Sequence, residues 1–386
     1  MPSAKHYLCR EELDHALSVP DLTEPGPQPH ALALLVERLL GGLVEAGWPA
    51  ASVQHGPRIV SALENFGRLG IAGRQLAAEQ KQAFWLSDEA LLRTHTTSLI
   101  GPALQAAAAA RRPGETIMIA VPGMTFRRDV RDRWHCAHPH QMDLWVLGEP
   151  SLSNRRALLQ LVADVLALTV PDRAWTQRER PHAYTEGGAE VLVMNRDRRV
   201  EVLECGCIAR SLLQRLDIDP ALHGGLCLGM GLDRLLMLHK GINDIRLLRD
   251  PRPVVQAQMH DLSPWRPLAW PHPIVRDLSV ALKPGQSDQV LSERLLRAAG
   301  TRADWVEAIE IVGRWPLDEL PSTAIERLGM SPDQENVVIR VVLRDCVAAL
   351  DAEACATLLA QLHVALHEGT PGGGYRIGER LAQRSL

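Results

Sequence analysis

The sequence predicts an α+β protein with two main domains. Two observations carry this. Amphipathic helical stretches and short β-branched or alternating stretches follow one another through the first 250 residues without the regular order of a βαβ series. Six prolines (Pro251, Pro253, Pro264, Pro267, Pro271 and Pro273) then crowd the chain, and a second mixed set of elements begins behind them. At 386 residues the chain is long enough for two or three separate cores.

Residues 1–27 read as an N-terminal extension closed by Pro20 and by Pro25-Gly26-Pro27. From His30 to Ala46, the residues Leu32, Leu35, Val36, Leu39, Leu40 and Leu43 recur at helical spacing, and Gly47-Trp48-Pro49 stops the helix. The alanine-rich stretch Pro102–Arg112 and the run Ser151–Val170 are further helices. The second has a stripe of Leu158, Leu161, Val162, Val165 and Leu166 that ends at Pro171. Thr116–Val121, Asp143–Leu147, Glu190–Met194 and Val200–Glu204 read as strands.

Residues 28–250 therefore form the first domain and 251–273 a linker with little regular structure. Residues 274–386 form the second. Its order is strand (Arg276–Leu282), helix (Asp288–Ala299), strand (Trp305–Val312), strand (Asn336–Leu343), helix (Ala352–His367). That is a ferredoxin-like β-α-β-β-α-β sandwich, with its last strand expected at Tyr375-Arg376-Ile377.

Composition narrows the class. Hydrophobic residues make up 46% and charged residues 23%, as in an ordinary globular protein, while aromatics reach only 4%, so aliphatic side chains must fill the cores. No apolar run is long enough to span a bilayer or resembles a signal peptide, which points to the cytoplasm. Seven cysteines in no spaced framework fit reduced thiols; Cys205-Gly206-Cys207 lacks a second pair at zinc-site spacing. Residues 271–386 carry 12 Lys/Arg against 16 Asp/Glu, so the net charge of −4 resides there.

The chemistry-bearing residues cluster in two places. Phe126-Arg127-Arg128-Asp129 is followed by His135, His138 and His140-Gln141. Gly225-Leu226-Cys227-Leu228-Gly229-Met230-Gly231-Leu232-Asp233-Arg234 is a glycine-spaced strand running into a helix, where a flat polyanion can approach the backbone closely. Guanidinium groups supply bidentate contacts to phosphate and stack on purines. Taken alone, Arg127–Arg133 also reads as a solvated charged face, and the histidines as core residues or a metal cluster.

Together the segments resemble motifs 2 and 3 of a class II aminoacyl-tRNA synthetase, nearest the phenylalanyl enzymes. Gly56-Pro57 and Asn65-Phe66 are similar to motif 1, a segment that usually lies at a subunit interface. Leu91-Leu92-Arg93-Thr94-His95-Thr96 is similar to an element that faces the amino acid. The resemblance implies an antiparallel class II sheet flanked by helices, followed by an anticodon-binding domain. It implies ATP and Mg²⁺, with Arg127, Asp129, His135, Gly229, Gly231 and Arg234 on the nucleotide and Glu201 on the metal. Arg127, Asp129 and Arg234 would carry the chemistry. A homodimer is the implied assembly, with a monomer as the alternative.

The same resemblance places His95, Thr97, Gln141, Asp143, His182, Tyr184, Glu204 and Cys227 around the amino acid. Here the sequence departs from the family. Pro181-His182-Ala183-Tyr184-Thr185 stands where a Phe-Pro-Phe-Thr element is usual, Cys227 replaces a small Ala, Thr97 a Ser, Ile100 a Gln, and Glu204 a Gly. The implied function is ATP-dependent activation of an amino acid with transfer to tRNA, at a site whose side-chain pocket is altered. Two alternatives stay open: transfer to a carrier protein or small molecule, and a non-catalytic binding or regulatory relative.

Overall fold

The computed structural model describes residues 5–128, 132–196, 198–268 and 271–370. The chain forms two compact units. One consists of the chain up to Arg128 with Ala137–Trp265, the other of the segment ending at Cys136 with the chain from Arg266 onward.

The first unit is built on a seven-stranded sheet: β1 (Ala51–Val53), β2 (Ile117–Met124), β3 (His140–Gly148), β4 (Trp175–Glu179), β5 (Thr185–Asn195), β6 (Arg198–Ile208) and β7 (Gly224–Gly231). Their order is β1-β2-β3-β7-β6-β5-β4. Only β1 and β2 pair in parallel; every other neighbour is antiparallel. All four strands expected here exist, and each runs longer than its apolar core suggests, because hydrogen bonding continues into polar and glycine residues. Both faces of β3 are covered, so it is buried nearly throughout.

Helices Ala31–Glu45, Arg155–Thr169 and Leu232–Lys240 pack on one another and against the sheet. Helix Ile100–Ala110 joins Trp145, Leu147, Ile119, Val121 and Cys227 in a separate apolar cluster. Because side chains alternate along a strand, this cluster marks the face carrying the odd-numbered residues of β2, β3 and β7.

Two expectations about the margins change. The N-terminal extension contributes a strand (His6–Tyr7) and a helix (Arg10–Ser18). Arg58 Nη1 donates to the carbonyls of Ala16, Leu17 and Val19 at that helix's end, and Met124 N donates to Asp21 Oδ2 at 2.7 Å. The proline-rich stretch is likewise ordered at its start. Pro253 opens a short helix (Pro253–Gln256), where its missing N–H costs nothing. Val255 and Met259 are fully buried, and Ala31 N donates to Met259 O.

In the second unit, strands Ile274–Leu282, Val306–Pro316 and Glu335–Leu343 form an antiparallel sheet with the last in the centre. Val337, Ile339, Val341 and Leu343 face Leu291 and Leu295 of helix Asp288–Ala299 and Leu358, Leu362 and Leu366 of helix Ala352–Leu366. A further helix, Ser322–Leu328, lies between the second and third strands of the chain order. The strand expected at Tyr375-Arg376-Ile377 lies outside the described residues. No helix among the described residues is long and apolar enough to cross a membrane.

Candidate active site

The centre of the sheet sets the register of the site. Asp143 pairs with Gly229, Gln141 with Gly231 and Trp145 with Cys227 across β3 and β7. Glu204 pairs with Gly229 and Gly206 with Cys227 across β6 and β7. Gln141, Asp143, Trp145, Cys227, Gly229 and Gly231 therefore share one face, together with Glu204. A bulge between Glu201 and Leu203 brings Glu201, three residues earlier, to that face as well.

The glycines of β7 divide by cause. A Cβ on Gly225 would stand 1.9 Å from Val146 O, so packing alone demands glycine there. A Cβ on Gly229 would meet nothing within 4 Å, and one on Gly231 only Val202 O at 3.8 Å. These two leave an open floor on the sheet, which suits close approach of a flat ligand.

The two arginines stand at strand ends beside this floor. Arg127 follows the fully buried Phe126. Its backbone N donates to Ala137 O, and its Nε donates to Thr94 O at 2.7 Å, which aims the guanidinium. Arg234 lies in the first turn of helix Leu232–Lys240 and donates from Nη1 to Glu201 O at 3.1 Å. The preceding Asp233 pins the strand–helix junction by accepting from His140 N and from Arg249 Nη2. Burial would raise the Asp233 pKa, but Arg249 and His140 outweigh it and hold it at about 2. Asp129 lies outside the described residues. His135 belongs to the second unit, where its Nδ1 is 2.8 Å from Asp132 Oδ1.

A pocket with about 220 Å³ of empty volume opens on the same face, lined by Asp143, Trp145, His182, Tyr184, Glu204 and Cys227 among others. Three rings form a stack: His182 on Tyr184 at 5.4 Å and Tyr184 on Trp145 at 6.2 Å, both nearly parallel. His182 Nε2 lies 2.9 Å from Glu204 Oε2, and Arg180 Nε lies 3.4 Å from Glu204 Oε1. Burial would raise the Glu204 pKa; the hydrogen bond and charge of His182, with Arg180 and Arg127, bring it below the usual range. Burial pushes the Cys227 thiol well above its ordinary pKa, so it is neutral, and its Sγ donates to Gly206 O at 3.4 Å. Asp143 accepts from Thr96 Oγ1 (2.6 Å), Thr97 Oγ1 (3.1 Å) and Trp145 Nε1 (2.9 Å).

The structure thus brings together Arg127, Arg234, Glu201, Gly229, Gly231, Gln141, Asp143, Thr97, His182, Tyr184, Glu204 and Cys227 on one unit. His95, the residue before Thr96, is adjacent. Trp145 has no part in the sequence reading, and Thr96 enters it within the Leu91–Thr96 element. Trp145 was findable, since it stands two residues after Asp143 on the same strand. Among the described residues no group of three His, Cys, Asp or Glu side chains is arranged to hold a metal, so the His135–His138–His140 metal alternative has no support there.

Several histidines are held neutral by burial. His30 and His138 are lowered to about 4 and His95 to about 3. With folded-state values below the unfolded value, the unfolded chain takes up protons first. Stability is therefore full above about pH 6.5 and falls as the pH drops toward 4, by about 2 kcal/mol per such histidine at pH 5. Urea midpoints at pH 7 and pH 5 check this; equal midpoints would contradict it.

The site is an antiparallel sheet with an open glycine floor, two arginines beyond the strand ends and an adjoining side-chain pocket. Residues 15–259 match the family described as tRNA synthetases class II core domain (F), and the chain belongs to that family. It is 32% identical over 251 residues to the phenylalanine–tRNA ligase alpha subunit of Glaesserella parasuis serovar 5 (strain SH0165), covering 63% of this chain and 73% of that one. It is 30% identical over 221 residues to the alpha subunit of the same name from Hamiltonella defensa subsp. Acyrthosiphon pisum (strain 5AT), covering 56% and 63%. The chain spans 62–63% of the length of several such relatives. A solved pyrrolysyl-tRNA synthetase from Desulfitobacterium hafniense aligns over 63% of this chain and 79% of that one, with a TM-score of 0.47 and 20% identity.

Proposed function

We propose that this chain activates an amino acid as its aminoacyl-adenylate and transfers it to tRNA, and that its pocket selects an amino acid other than phenylalanine. The observation that carries the reading is the contrast on one sheet face: an open floor flanked by Arg127 and Arg234, beside a pocket holding a His182–Glu204 pair in hydrogen-bond contact. In this reaction the substrate carboxylate attacks the α-phosphorus of ATP, the bond to the β-phosphate oxygen breaks, and pyrophosphate leaves. The protein needs no nucleophile; it aligns two anions and offsets charge developing on phosphorus. Arg127 serves the α-phosphate and the attacking carboxylate, and Arg234 the nucleotide and departing phosphates.

Glu201 fits a magnesium-supporting role. Burial and the charge of Glu204 raise its pKa, a state that a cation relieves. With no three-ligand cage among the described residues, the protein would offer Glu201, and phosphate oxygens the rest. The ion would neutralise phosphate charge.

A phenyl ring in this pocket would lie against the hydrogen-bonded His182 ring and Glu204 carboxylate and strip their hydration without return. A polar or smaller side chain fits better. The second domain, a ferredoxin-like module in this reading, would meet the anticodon. Its excess of acidic residues favours the second reading, transfer to a carrier protein or small molecule, since tRNA phosphates attract Lys/Arg-rich surfaces. Incubation with ATP, total tRNA and an amino-acid mixture, read by mass spectrometry, separates the two. Aminoacyl-tRNA is expected; adenylate formation without charged tRNA would favour the second reading.

A second copy of the chain is the proposed partner of the motif 1-like segment, where Val53, Ile59 and Leu63 are exposed. Light scattering at micromolar concentration should give twice the mass of one chain. One chain's mass would exclude a stable dimer.

A further inference from the structure

We propose that Glu79 holds the α-ammonium group of the amino acid, while Asp143 braces the pocket wall behind it. The inference rests on the amino-acid-activating reading of the site and adds a residue to it.

Acceptor capacity separates the two carboxylates. Asp143 is 3% exposed and already takes three hydrogen bonds from Thr96, Thr97 and Trp145. A carboxylate has about four acceptor positions, so one remains for a group that needs several. Glu79 differs. Its Oε1 accepts from Gln75 Nε2 at 2.9 Å, but its Oε2 is shielded from solvent without a hydrogen-bond partner. Oε2 faces His95 Nε2 at 3.9 Å, and neither nitrogen of that ring closes a hydrogen bond of good geometry.

The charges around it tell the same story. Glu204 is held by His182 and Arg180, and Glu190 by Arg178 and Arg180. Among the described residues, the basic group facing Glu79 is the ring of His95, which burial keeps neutral. Glu79 Oε2 stands 3.9 Å from His95, and the residue before His95, Thr94, takes the Arg127 Nε bond on its carbonyl, so Glu79 lies near the α-phosphate arginine. An amino acid's nitrogen is bonded to the carbon that bears its carboxylate. The acid that binds it must therefore stand near the guanidinium that binds the carboxylate. Glu79 meets that condition and has a free oxygen. Burial raises its pKa, and an ammonium opposite it would bring it back down.

The test avoids the unknown side chain. The probes are 5′-O-(glycylsulfamoyl)adenosine and its glycolyl counterpart, which differ only in an α-amino against an α-hydroxyl group. By calorimetry the wild type should prefer the glycyl probe by about ten- to a hundredfold, as a charge-assisted hydrogen bond implies. Glu79→Gln should abolish the preference with an unchanged melting temperature, and Glu79→Asp should keep part of it. Asp143→Asn should keep the preference and melt lower. A preference that survives in Glu79→Gln, or that vanishes in a folded Asp143→Asn, overturns the proposal. Equal binding of both probes to the wild type refutes Glu79 alone. Binding of neither refutes the adenylating reading along with it.

Discussion

Arg127→Ala and Arg234→Ala are each expected to lower amino-acid-dependent ATP–pyrophosphate exchange by about 10²–10³-fold, the usual loss when one preorganised donor to developing charge is removed. Neither substitution should unfold the protein. Arg127 gives up a single described bond from its side chain, to Thr94 O. The junction that carries Arg234 is pinned independently by Asp233, His140 and Arg249. Melting temperatures close to wild type would therefore accompany the loss, and Arg127→Lys should recover only part of it, because a single ammonium cannot bridge carboxylate and phosphate as a planar fork does. Unchanged exchange in both alanine variants would refute the assigned nucleotide site.

The second large effect concerns selection. Wild-type exchange with phenylalanine should be poor, and His182→Phe combined with Glu204→Ala should raise its kcat/KM by about ten- to a hundredfold. Both changes are needed together. Removing His182 alone leaves the half-buried Glu204 carboxylate without its 2.9 Å partner and held by Arg180 at 3.4 Å, still set against any incoming ring. The double change removes the pair and returns a stacking ring next to Tyr184, worth about 0.5–1.5 kcal/mol, while the Tyr184–Trp145 stack stays in place. A wild type that already prefers phenylalanine, unaffected by His182→Ala and Tyr184→Ala, would contradict the pocket assignment.

Much of the architecture could be read from residue pattern because it follows local periodicity. The helical spacing from Leu32 to Leu43 becomes helix Ala31–Glu45, and Asp288–Ala299 matches the expected helix at both ends. Patterns carried by polar residues were harder to read. The N-terminal stretch reads as an extension because its docking face is short: Ala16, with Leu8, Leu13 and Val19, meets Leu92, Met124 and Phe126, and Arg58 and Asp21 add single hydrogen bonds. The proline-rich stretch looked like a linker, yet Pro253 starts a helical turn and Val255 and Met259 anchor it. For the site, strand alternation from Asp143 reaches Trp145, and motif order gathers His182, Glu204 and Cys227. Glu79 was beyond reach for a physical reason. It comes from a separate helix, Gly73–Gln82, with no buried residue of its own, and only the tertiary fold gives that carboxylate its neighbours.

The most direct test of the account is the profile of ATP–pyrophosphate exchange across the proteinogenic amino acids. Exchange that depends on a polar or small amino acid, with phenylalanine far behind, is the predicted result. Exchange with phenylalanine as the clear optimum, or no exchange with any amino acid, would contradict it.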